Sequence, residues 1–140
     1  MELKKIPWAL AKGSRDGSSM MMRYRQFQTD FPKQDYPVRV KVVCDFNERT
    51  QSGLPTQTEY ARLDIVEDEL MGLAEEADTS VLAMVITSSG KREFIFQTSD
   101  ADDLSTRVNR AYDNESRYYI DVTQEGEDEW HLVDDYIPKN

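Results

Sequence analysis

Few residue types in this chain could carry chemistry: one histidine, one cysteine, a run of three methionines and 27 acids. A nucleophile–base pair would need Cys44 and His131 to meet. Cys44 lies on the inward side of "VRVKVVCDF", where Val38, Val40, Val42, Cys44 and Phe46 alternate with Arg39, Lys41 and Asp45. A thiol there is a small buried hydrophobe. His131 falls in "EGEDEWHLVDDYIP" beside an apolar stripe rather than on it, and is expected to be solvated. The clusters "DADD", "EGEDE" and "VDD" could face a hard cation, but none has the spacing of a calcium loop. No HExxH, CxxC, phosphate-cradling glycine loop or dinucleotide fingerprint occurs, and no two carboxylates stand out as an acid–base pair. Met20, Met21 and Met22 have no soft-ligand companions and read as adaptable packing. The sequence therefore names no catalytic, cofactor-binding or metal-ligating residue, and implies no cofactor.

What remains is charge. A net charge of −10 and an isoelectric point near 4.5 repel phosphate backbones and anionic lipid heads, and favour solubility and basic protein partners. The 140 residues suit one domain with one core. No apolar run approaches the roughly 20 residues of a membrane-spanning helix. The apolar part of "MELKKIPWALAKG" breaks before reaching a signal-peptide core of about 7–15 residues. A lone cysteine makes no internal disulfide, so a cytoplasmic location is expected.

The elements that must position these groups follow from periodicity. "IPWALAK" and "SMMMRYRQF" flank the turn "GSRDGS" and predict a hairpin over residues 6–26. "QTDFPKQDYP", with two prolines and no apolar period, predicts a connector. "VRVKVVCDF" is a half-buried strand. Over residues 54–77 the period changes to three and four, with Tyr60, Leu63, Val66 or Glu67, Leu70, Leu73 and Ala77 on one stripe. Thr56 and Glu59 predict a capping box at its start, and Gly72 is a flaw inside it. "SVLAMVIT" reads as a strand buried on both faces, "SSGK" turns it, and "REFIFQ" returns with Phe94 and Phe96 inward. A second helix, "SDADDLSTRVNRAY", starts at Ser99 or Asp100, buries Ala101, Leu104, Val108 and Ala111, and is followed by the strand "SRYYIDVT". Residues 127–137 predict a closing helix, with Trp130, Val133 and Ile137 on its stripe, acids in its first turn and Pro138 beyond its end.

From Val38 the order is strand, helix, strand, strand, helix, strand over residues 38–123. This is the ferredoxin-like βαββαβ arrangement of the α+β class, with both helices on one face of an antiparallel sheet. In it the "SVLAMVI" strand would lie at an edge although its sequence is that of an interior strand. The N-terminal hairpin is expected to cover that edge. The same strand order fits an RNA-recognition fold. Against it stand the missing RNA-binding consensus, the charged outer face of Arg39, Lys41 and Asp45, which can pair with Glu93, and the net negative charge.

Several segments in order, "PWAL", "GSSMMMRY", "GLP" before "IVEDEL", "VITSSGKREFIF" and "DEWHLVDDYIP", resemble the bacterial domain-of-unknown-function family 695 across nearly the whole chain, 1–140. Gln97 departs from the pattern where an aromatic is expected. The resemblance implies no reaction. Some members are similar to acidic, ferredoxin-like regulators that bind and inhibit ribonuclease E, which implies a non-catalytic module engaging a basic partner such as a nuclease. Asp128, Glu129, Asp134 and Asp135 are the expected contact residues, with Glu75 and Glu76 as further candidates. Two other readings are a ligand-binding cleft between hairpin and sheet near Arg23, Arg39, Tyr24 or Tyr119, and self-association through the open sheet face or an edge.

Overall fold

A computed structural model describes residues 3–113 and 118–137. Strands β1 (Trp8–Arg15), β2 (Ser18–Arg25) and β3 (Val38–Asp45) precede helix α1 (Gln57–Glu75); β4 (Ser80–Ser88) and β5 (Lys91–Thr98) lead to α2 (Ala101–Tyr112), and β6 (Ile120–Glu127) to α3 (His131–Tyr136). The strands form one antiparallel sheet in the order β1-β2-β4-β5-β3-β6. The last four positions are the ferredoxin-like core, and the hairpin lengthens the sheet at the β4 edge. All nine residues of β4 are buried. Pairing Met20 with Ser88 through Tyr24 with Met84 satisfies its backbone and removes an apolar edge. The hairpin turns at Asp16 and Gly17, with φ of 52° and 82°, the left-handed pair that a two-residue turn requires. Because β2 hydrogen-bonds along β4, hairpin and sheet are continuous.

Each face of the sheet carries its own core. Beneath α1 and α2, Val40, Val42, Leu82, Val85, Phe94 and Phe96 pack against Leu63, Val66, Leu70, Leu104 and Val108. On the opposite face, Met22, Val81, Ala83, Met84, Ile86 and Ile95 pack against Phe31, Trp130 and Val133. Alternation along β4 feeds both cores, and a bulge between Leu82 and Met84 puts Ala83 and Met84 on the same face. The expected connector is thus part of the fold. It forms a 3-10 turn at Lys33–Asp35, and its Phe31 and the preceding Phe27 meet Trp130 edge-on at centroid distances of 5.9 and 5.0 Å. The face opposite the helices is charged only over part of its area. There Lys41 lies 3.9 Å from Glu93 and Arg39 donates to Glu125 at 2.8 Å, while Ile95 and Gln97 are buried.

Three local expectations change. Thr56 caps α1 by accepting from the Glu59 amide at 3.3 Å, but the Glu59 carboxylate does not return to Thr56. It is buried, accepting from the Glu48 amide at 3.0 Å and from the Tyr118 hydroxyl. In α1 Ala74 and Glu67 are buried, whereas Leu73 and, just past the helix end, Ala77 are only half-buried; in α2 Ala111 is exposed. The last strand runs four residues beyond expectation, to Glu127, and α3 begins only at His131. Glu129 and Trp130 take left-handed φ values of 52° and 68° and reverse the chain first. Ring burial holds this reversal in place. Trp130 is 2% exposed and its Nε1 donates to the Lys33 and Tyr36 carbonyls at 3.0 Å each. The acids 127–129 therefore precede the helix rather than occupying its first turn. Ser116, Arg117 and Pro138 lie outside the described residues.

Candidate functional site

The groups that could react are placed where they do not react together. Cys44 is fully buried, and burial pushes its thiol up to about 12, which keeps it protonated and inert. His131 is exposed at the start of α3, a position on the opposite face from the Cys44 core. Tyr118 is raised by burial and then by its hydrogen bond to Glu59, so that pair is a buried structural link. Among the described residues no three of His, Cys, Asp and Glu converge to hold a metal ion.

Charge, by contrast, is organised. Three arginines on the helix side of the sheet tie the hairpin and β5 to α1. Arg25 is 1% exposed and donates to Glu75 at 2.7 Å and to the Leu82 carbonyl at 3.2 Å. Arg23 pairs with Glu67, and Arg92 lies 3.3 Å from Asp64 and 3.7 Å from Glu67. Trp8 lies beneath the Arg23 and Arg25 guanidinium groups at 5.2 and 4.9 Å, within cation–π range. These contacts seat the C-terminal half of α1 against the hairpin. The ligand-cleft candidates Arg23 and Arg39 are both engaged in internal ion pairs, and Tyr119 is 70% exposed.

Over the outer surface of that half of α1 runs an open groove of about 950 Å³. Its apolar wall comes from Leu3, Met71, Leu73 and Ala111, with Gly72 in the helix between them. Its rim carries Asp68, Glu69, Glu75, Glu76 and Asp78. Glu75 is held by Arg25 and by the Leu82 amide at 3.0 Å, and Glu69 accepts from the Tyr112 hydroxyl at 3.4 Å. Among the described residues Asp68, Glu76 and Asp78 enter no ion pair. Three uncompensated carboxylates around an apolar trough form a surface suited to lysine or arginine side chains on an amphipathic partner.

The acids expected as contacts are disposed differently. Asp128 presents no open charge: its carboxylate accepts from Arg39 at 2.6 Å and from the Trp130 amide at 3.1 Å. Asp134 pairs with Lys33 at 3.3 Å, while Glu129 and Asp135 are exposed. Glu75 and Glu76 both line the groove. Asp68, Asp78 and Gly72 were not singled out as contacts, since only the packing of α2 and the N-terminal 3-10 turn at Leu3–Lys5 beside α1 makes their surface concave. The misplaced-looking Gly72 was the one signal in the sequence.

A family model described as a family of unknown function (DUF695) matches residues 7–137, and the chain belongs to that family. No curated protein matches the chain. No solved structure matches it.

Proposed function

We propose that this family member is a non-catalytic, acidic protein-interaction module that binds a basic partner through the groove over α1. One observation carries the reading. The groove combines an apolar wall with Asp68, Glu76 and Asp78 on its rim, in a chain whose net charge is −10. An apolar trough rimmed by open carboxylates attracts a basic surface at long range and retains it by burial. In its finer form the module regulates or inhibits a nuclease or a similar basic protein in a bacterial cytoplasm. The support for that form is the resemblance, read from the sequence, to acidic, ferredoxin-like regulators of ribonuclease E, which is analogy of fold and charge. Glu129 and Asp135, with Asp128 and Asp134 beside them, offer a second acidic surface.

The test is a tagged pull-down from bacterial lysate at low salt, with elution by rising salt. It is run in parallel with an Asp68→Lys/Glu76→Lys chain and an Asp134→Lys/Asp135→Lys chain. The groove reading expects a discrete basic protein that elutes at moderate salt and is lost with the first chain. Loss with the second chain alone moves the contact to α3. Retention by both removes the acidic-surface reading.

A further inference from the structure

Gly72 raises a question that the fold does not answer. It sits inside α1, exposed, in ordinary helical backbone, where a glycine weakens a helix relative to alanine. Positive φ does not require it there. Crowding does not either, because a Cβ at this position meets nothing within 4 Å. Among the described residues no contact accounts for the missing side chain.

Its surroundings do. On a helix surface the neighbours of a residue are those three and four positions away. For Gly72 these are Asp68, Glu69, Glu75 and Glu76, all carboxylates and all on the groove. The side-chain-free position is therefore a hole with four acidic corners and apolar flanks at Met71 and Leu73. Two corners already have partners, Glu75 with Arg25 and Glu69 with Tyr112. Asp68 and Glu76, one turn before and one turn after, remain open among the described residues. The corners do not converge as metal ligands, so the cation that fits is a side chain rather than a bare ion.

We infer that the groove receives an α-helix of the basic partner, crossing α1 over Gly72 and setting lysine or arginine side chains against Asp68 and Glu76. This inference rests on the interaction-module reading above. An extended segment binds by pairing with a sheet edge, and the groove walls are α1, α2 and the N-terminal turn, which offer no strand. A helix-in-groove contact uses side chains alone, and a glycine at the crossing lets two helix axes approach to the short end of their usual range of about 8–10 Å.

The test uses the full chain, isotope-labelled, and two synthetic peptides of identical lysine, leucine and alanine composition. One places lysines at helical spacing opposite leucines, and the other alternates them at strand spacing. The helical peptide is expected to bind, to shift the Gly72 amide resonance and its neighbours, and to lose affinity as salt rises. Gly72→Ala is expected to raise the melting temperature by a few degrees yet weaken binding about tenfold or more. Because that variant is more stable, lost binding cannot be ascribed to misfolding. Equal binding by Gly72→Ala, or equal binding of both peptides, overturns the helix crossing. If Asp68→Asn/Glu76→Gln then still weakens the complex, the acidic-module reading survives without it. If neither peptide perturbs the groove in a salt-dependent way, both fall.

Discussion

Two acidic regions of the molecule each combine neutralised and open carboxylates, but the groove sets its open ones beside an apolar wall. Around α3, Asp128 holds Arg39 and the Trp130 amide, and Asp134 meets Lys33. These acids close a corner in which Trp130, Phe27 and Phe31 cover the sheet. Around the groove, Asp68, Glu76 and Asp78 stand beside apolar wall with no cation from the described chain. A negative residue available to a partner is one the fold has not already neutralised. Its environment decides this rather than its place in an acidic run.

Removing an anchor on either side should separate the two regions most sharply. Trp130→Ala deletes a buried ring and both of its indole hydrogen bonds, and should cost roughly 3–5 kcal/mol in denaturant unfolding. A loss below about 1 kcal/mol would mean that the α3 corner is not the structural one. Arg25→Ala leaves Glu75 with the Leu82 amide but no cation in a largely buried site, and should cost about 3 kcal/mol or more. Adding Glu75→Gln should recover part of that loss, as a double-mutant cycle would show. Asp128→Ala removes the chain-reversal cap and the Arg39 pairing together, and should lower stability by about 1–2 kcal/mol. Asp68→Asn/Glu76→Gln should change stability by less than about 0.5 kcal/mol, because no internal partner is lost. A clear loss in that pair would erase the distinction between the regions.

The smallest effect concerns the core between them. The Cys44 thiol is held up near 12 by burial, above its value in the unfolded chain. The protonated thiol therefore contributes fully at neutral pH, and that contribution is lost as pH climbs from the ordinary thiol range towards 12. Folded protein should resist thiol alkylation at pH 8 and become reactive only with global unfolding. Rapid labelling of the native chain would contradict the burial.

Most of the framework was legible because it follows from local signals. Alternation in "VRVKVVCDF" corresponds to β3, the helical stripe of residues 54–77 contains α1, and the doubly apolar "SVLAMVIT" demanded a neighbour that β2 supplies. The closing helix was the weakest reading. Its start depends on two left-handed residues, one of them a tryptophan. No propensity favours that conformation, and the buried ring and its two carbonyl acceptors impose it. Glu59 makes the same point, since its capping role was local and plausible but Tyr118 and the Glu48 amide, distant in sequence, took the carboxylate.

By itself, then, the sequence determined the class, the order of strands and helices, the need to cover β4 and the excess of negative charge, all of which are set by near-neighbour periodicity and composition. Only the tertiary structure decided which acids meet an arginine and which do not, that the connector joins a second core, and that Gly72 lines a groove. Those outcomes depend on side chains far apart in the chain arriving at one place, where a charge is either matched or left facing solvent.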